Sequence, residues 1–222
     1  MAAPLRYLLL LCCMAIPAGL YAQQNNFFNS ATTNKVFFNG IAAGINASQV
    51  DGDRYSGFHK AGLNAGLVSY IRLNPTWLLS VELLYSMKGA RSIQPVYSPA
   101  VGTVPEDYRL RLNYVEIPLM AHIHTGYNIY LGAGVSYSRL ISSKESLESA
   151  QPINLHTDVN TFHKDDFNYL VSVQYQLYKG LSARARYQYS ILSIRDGSKI
   201  PPEFGTGAQY NNLFALQLIC LF

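Results

Sequence analysis

Eight segments of this chain read with a two-residue period, and the connections between them alternate between short and long. The last segment shows the period most plainly. In YNNLFALQLICLF the row Phe214, Leu216, Leu218, Cys220 and Phe222 is wholly apolar, while the row Leu213, Ala215, Gln217, Ile219 and Leu221 carries a polar residue at its centre. Alternate residues of a β-strand point to opposite faces, so this is a strand with two different surroundings. The eight segments are 36–46, 60–73, 76–88, 108–124, 128–140, 166–177, 181–192 and 210–222. Each is long enough to cross a bilayer at the usual tilt, which takes about 9–11 residues. Three connections are tight and rich in turn-forming residues: Asn74 with Pro75, TGY at 125–127, and YKG at 178–180. Between them lie the long polar stretches 47–59, 89–107, 141–165 and 193–209. That order predicts an all-β, eight-stranded antiparallel up-and-down transmembrane β-barrel at 36–222, with short periplasmic turns and long extracellular loops.

The start of the chain agrees with export. Arg6 precedes an unbroken apolar run over 7–16, followed by Pro17, Gly19 and the small Ala22. This is the order of a cleaved secretory signal peptide, with cleavage after Ala22, and it predicts a periplasmic tail over 23–35. The run is too short for a spanning helix, which needs about 20 residues. Cys12 and Cys13 lie inside the run and lack the small residues that precede an acylated cysteine. Of the 3 cysteines, Cys220 alone then stays in the mature chain, so no internal disulfide is expected. Only 14% of residues are charged, against about 25% in an ordinary soluble domain. The net charge of +4 is too mild and too scattered for a nucleic-acid partner. An exported chain without an apolar helix enters a membrane as a closed barrel, which satisfies every backbone group in lipid.

The faces can be assigned strand by strand. Trp77, Leu79, Val81, Leu83, Tyr85 and Met87 form an outward apolar row, opposed by Ser80, Glu82, Ser86 and Lys88. Leu181, Ala183, Ala185, Tyr187 and Tyr189 oppose Ser182, Arg184, Arg186, Gln188 and Ser190, and 166–177 alternates in the same way. The polar rows hold few charges, as suits a narrow lumen. Trp77, Tyr127, Tyr130, Tyr175 and Tyr178 gather by the short turns, as an interfacial aromatic girdle would. Phe222 closes the last outward row and is the expected signal for the barrel-assembly machinery.

In RLNYVEIPLMAHI the residues Leu112, Tyr114, Val115, Glu116, Ile117, Pro118 and Leu119 resemble the central motif of the PorT-like outer-membrane β-barrels of Bacteroidetes. VELLYSMKGA, at 81–90, is similar to the same family. The resemblance implies an outer-membrane location and outer-membrane lipids as surroundings. It also implies a tie to type IX protein secretion, with which the family's founding member is linked, and secretion or envelope proteins as partners. Fold transfers well along such a likeness and function poorly.

Within the motif, Glu116, Pro118, Met120, His122 and His124 share the lumen face if Ile117 and Leu119 meet lipid. Leu110 and Leu112 keep the inward parity and Arg109 and Arg111 the outward one. Arginines facing lipid predict either a bulge near Asn113 or a position already above the membrane. Pro118 leaves a ladder donor missing at an unidentified neighbour. Glu82 and Glu116 face Arg184 and Arg186 across a lumen as wide as two side chains, and predict a structural ion-pair network. No metal, cofactor or catalytic site is expected. His122 with His124, His156 and His163 beside Asp158, Asp165 and Asp166, and the DGD at 51–53 each lack a full ligand set. The recurrent strand glycines, Gly132 and Gly134 among them, are expected to admit bulky neighbours or to allow barrel curvature. The expected function is a non-enzymatic structural or accessory component of the envelope. The alternatives are a small porin-like channel and a membrane-embedded lipid-modifying enzyme, for which His163 with Ser142 or Ser143 is the one faint nucleophile and base.

Overall fold

The computed structural model describes residues 35–53, 57–98, 102–148, 162–199 and 207–222. The expected signal peptide and nearly all of the expected tail lie outside them. Eight strands follow in chain order: β1 (Phe37–Asp51), β2 (Lys60–Arg72), β3 (Trp77–Ser98), β4 (Gly102–Gly126), β5 (Ile129–Glu148), β6 (Asp165–Tyr178), β7 (Leu181–Ser190) and β8 (Tyr210–Leu221). Each pairs antiparallel with its neighbour, and β8 pairs with β1 from Gly40↔Leu221 to Asp51↔Tyr210. The ring is closed, so no strand edge is left to face lipid.

Exposure alternates as the sequence predicts. On β6 the residues Phe167, Tyr169, Val171, Val173 and Tyr175 are outward and exposed, while Asn168, Leu170, Ser172, Gln174 and Gln176 are buried. Ile45, Leu67, Leu83, Leu119, Val135 and Leu216 continue the same apolar belt around the ring. A belt of this kind on a closed barrel is the lipid-facing band of a membrane-spanning one.

The strands reach further than their periodicity indicates. β3 and β4 stay paired out to Ser98↔Gly102, so 89–107, expected as a loop, is a continuing hairpin. Gly89 lets β3 carry on: its φ of 129° is one that side-chain-bearing residues avoid. Beyond that point both faces of the hairpin leave the membrane, so polarity no longer alternates and the strand becomes hard to read. β5 likewise continues to Glu148, and β1 to Asp51.

The flip of facing expected in this strand near Asn113 does not occur; Arg109 and Arg111 keep the outward parity, as residues above the membrane can, and the bulge belongs to the neighbouring strand. β4 keeps one parity from Tyr108 to His122, with even-numbered residues buried. The extra residue is in β5, where Asn113↔Ser142 is followed by Tyr114↔Leu140 and Ile141 is left unmatched. A two-against-one bulge turns every later side chain of β5 over. Before it Ser136, Ser138 and Leu140 face inward; after it Glu145 does. Arg109 and Arg111 are outward residues above the apolar belt.

Pro118 sits where the β3–β4 ladder is interrupted. Pairing runs to Val81↔Leu119 and resumes at Leu84↔Glu116, while Pro118 still pairs with Ser136 of β5. The missing N–H therefore faces β3. At the periplasmic turns, Trp77, Tyr127, Tyr175 and Tyr178 are exposed, as a girdle requires. Tyr130 is not part of it, being buried in the lumen with its ring 4.6 Å from that of His124. Tyr127 and Asn128, with φ of 50° and 63°, form a two-residue loop between β4 and β5, one position later than the expected turn.

Candidate functional site in the barrel lumen

The inward rows of the strands fill the barrel with three tiers of buried charge. In the first, Glu82 of β3 accepts from Arg184 Nη1 at 2.5 Å and Arg184 Nη2 at 2.9 Å, one bond to each carboxylate oxygen. This fork is the geometry for which guanidinium and carboxylate are matched. Arg186 Nη2 donates to the same Glu82 at 2.5 Å. Arg184 Nε donates to Gln217 at 2.9 Å, and Gln217 in turn donates to Asn64 at 2.6 Å. Tyr70 donates to Gln174 at 2.7 Å beside them.

The second tier surrounds Lys88. Its Nζ lies 2.5 Å from Glu116 Oε1, 3.5 Å from Asp166 Oδ2 and 4.8 Å from the centre of the Tyr114 ring. Gln188 and Ser138 also donate to Glu116, at 2.9 and 3.0 Å. Asn211 donates to Asp166 at 2.9 Å. In the third tier Arg195 Nη1 and Nη2 reach the two oxygens of Glu145 at 3.0 and 3.1 Å, and Tyr108 donates to Glu145 at 2.6 Å. The Arg195 guanidinium stands 4.3 Å over the ring of Phe162.

Formal charges show why the stack holds together. The first tier sums to +1 (two arginines, one glutamate) and the second to −1 (one lysine, two acids). The third is neutral. The excess of each lower tier is thus offset by its neighbour, and an uncompensated charge in such a setting would cost several kcal/mol. Apolar packing brackets the ions: Phe38, Tyr70, Leu78, Tyr130, Ile219 and Leu221 at the periplasmic end, and Val50, Leu110, Leu112, Leu140 and Ile194 toward the outside.

Of the residues singled out in the sequence, Glu82, Arg184 and Arg186 meet. Glu116 does not bond to either arginine; it is held by Lys88. Parity placed Lys88 on the lumen face, but not its height along the barrel. Asp166 opens the expected strand 166–177 with the inward parity of Asn168, but parity names no partner for it. Glu145 was hidden because the bulge reverses its face, and Arg195 because it lies past the end of β7. Phe222 faces outward at 61% exposure, and its N–H donates to Asn39 at 2.9 Å, fastening β8 to β1.

The histidines have ordinary roles. His122 exchanges a hydrogen bond with Ser80 at 2.8 Å, and Gly132 leaves the room its ring occupies. His163 engages the Ser193 carbonyl at 2.8 Å and Asp196 at 3.3 Å, while Ser142 accepts from Asn113 instead. The pairing of His163 with Ser142 that the lipid-modifying alternative would need is not made. Among the described residues no three His, Cys, Asp or Glu side chains gather as a metal site. His156 and Asp158 lie outside the described residues.

The lumen and belt can be set beside known proteins. Residues 21–196 match the model of a family described as outer membrane protein beta-barrel domain. Among solved structures the chain is similar to the attachment invasion locus protein Ail of Yersinia pestis, at 14% identity and a TM-score of 0.44, over 85% of this chain and 100% of that one. Neisserial surface protein A shares 14% identity at a TM-score of 0.43, over 84% and 96% of the two chains. Outer membrane protein W of E. coli also shares 14%, at a TM-score of 0.35, over 83% and 98%. No curated protein matches the sequence. Because the family model takes in most of the chain, the protein belongs to the outer membrane β-barrel domain family, and its apolar belt is the surface that meets outer-membrane lipid.

Proposed function

We propose that the protein is a non-enzymatic, non-conducting barrel of the outer membrane that serves as a structural or accessory component of the cell envelope. The observation that carries this reading is the filled lumen. Glu82, Lys88, Glu116, Asp166, Arg184 and Arg186 are all buried and ion-paired within two adjoining tiers in the middle of the barrel. An eight-stranded ring leaves an interior just wide enough for side chains, and here ionic side chains occupy it. Reconstituted into a planar bilayer, the folded protein is expected to give no steady conductance. A stable, large conductance would replace this reading with that of a small porin-like channel.

What remains for interaction is the outside, and among the described residues the longest paired element there is the β3–β4 hairpin. We assign it the contact with envelope proteins. The resemblance to PorT-like barrels makes proteins of type IX secretion the first candidates to probe. Capture from detergent extracts should be compared between the intact barrel and a variant in which a two-residue turn replaces 92–107. A partner set that survives this shortening would remove the hairpin from the proposal.

A further inference from the structure

Basic side chains on consecutive strands converge on one wall of the barrel. Arg91 of β3 pairs across the ladder with Arg109 of β4, and Arg111 of β4 pairs with Lys144 of β5. All four follow the outward parity. Lys60, the first residue of β2, lines the same shallow pocket as Arg91, Arg109 and Arg111, a space of about 200 Å³. Among the described side chains Asp107 is the one acid here, 2.5 Å from Arg109 and 3.5 Å from Arg91. Five cations against one anion leave +4. Like charges placed opposite each other on a ladder destabilise it. Lys60 registers the crowding: burial, then Arg111, then Arg91 hold its ammonium below the usual lysine range. The next cation along the wall is treated differently, since Arg139 has its own carboxylate, Asp165, at 2.6 Å.

Height identifies what can neutralise the group. Arg91 lies 14 residues beyond Trp77 on one outward row (91 − 77), and Arg111 lies 12 short of Ile123, the partner of Trp77 (123 − 111). At about 3.3 Å per residue and a tilt of about 40°, they stand roughly 30–35 Å above the periplasmic girdle. The apolar band of such barrels is about 25 Å tall, so the cations sit about 5–10 Å past its outer edge, at the depth of headgroup phosphates. Exposed Leu63, Leu83 and Tyr85 lie directly below, where acyl chains run. The β6–β8 wall carries rings toward its external end instead, with Tyr189 stacked at 5.8 Å on Tyr169 and at 6.1 Å on Tyr210.

We propose that the β2–β5 wall is a binding site for the phosphorylated headgroup of an outer-leaflet lipid, with Lys60, Arg91, Arg109 and Arg111 holding its phosphates and Lys144 at the margin. A ligand that is anionic above and apolar below matches both halves of the surface. The test uses the full folded barrel in detergent micelles, with native mass spectrometry reading retained lipid. Diphosphorylated lipid A, the same lipid after enzymatic dephosphorylation, inorganic phosphate and dextran sulfate are the probes. The phosphorylated lipid should be retained and the dephosphorylated one largely lost, with neither soluble anion displacing it at equal phosphate or sulfate concentration. Each cation removed should weaken retention roughly fivefold, so Arg91→Gln with Arg111→Gln should weaken it about 25-fold. Lys179→Gln, at the opposite membrane face, should leave it unchanged. Where the double variant does not fold, Lys60→Gln alone serves as the readout. Equal retention of the dephosphorylated lipid would reduce the site to the apolar belt. Displacement by either soluble anion would make it a site for soluble polyanions. Unchanged retention in the variants would overturn the proposal outright.

Discussion

Glu116 is ion-paired with Lys88 and accepts from Ser138 and Gln188, on three different strands, so its charge is fixed from several sides at once. Glu116→Gln leaves Lys88 with only the more distant Asp166 and should destabilise the barrel by about 3 kcal/mol. Lys88→Met in the same chain should recover much of that loss, because members of one network are non-additive. Arg186→Gln should recover far less, since its direct bond is to Glu82. Urea unfolding in micelles of the singles and both doubles measures the two coupling terms. Equal coupling would mean that the tiers act as one pool of charge. The residue scale is also where sequence reading was strongest and then stopped. Alternation states which face a side chain takes, so Glu82, Arg184 and Arg186 could be placed inside together. It does not state how high each one stands, because that depends on the stagger between strands. Parity alone therefore leaves open whether Glu116 meets an arginine or, as it does, Lys88.

Among the elements, β5 shows how one inserted residue redirects chemistry. With Ile141 unmatched, Glu145 turns inward to meet Arg195 and Tyr108, and Lys144 turns outward to join the basic wall. Deleting Ile141 should reverse both. Glu145 would leave Arg195 uncompensated, and the lost pair should cost about 3–5 kcal/mol in the same unfolding measurement. Retention of phosphorylated lipid should fall as well, by roughly the fivefold that one cation contributes. A deletion variant as stable as the parent would show that Glu145 keeps its inward position by another route. The outward arginines pointed to a flip in β4 or to a membrane boundary, and β4 does not flip; the bulge in β5 left no mark on them because it turns only the side chains of its own strand. The extended β3–β4 hairpin was illegible for a related reason. Alternation is written by the contrast between lipid and lumen, and beyond the bilayer that contrast ends.

For the whole molecule, the ring closes at β1 and β8, and Phe222 supplies the last bond of that seam to Asn39. Removing Phe222 should lower the yield of folded protein several-fold, whereas removing one residue from the connection between β5 and β6 should leave it nearly unchanged. The readout is the fraction that migrates faster unheated than boiled in the outer-membrane fraction. Equal yields would take Phe222 out of assembly. Closure and strand number were both readable in advance, because a lipid-facing belt forbids free edges and the alternating connections count the strands. The interior has a further consequence in time. Arg184 and Glu82 are 102 residues apart in sequence, and Arg186 and Glu82 are 104 apart. Neither pair can form while the sheet is open, so these charges stay hydrated until the final strands arrive. Contacts of such long separation are slow to reach. Interactions that form only after the rate-limiting step act mainly by slowing unfolding. The ionic core is on this account a latch: it contributes little to how fast the barrel assembles and much to how long, once shut, it stays so.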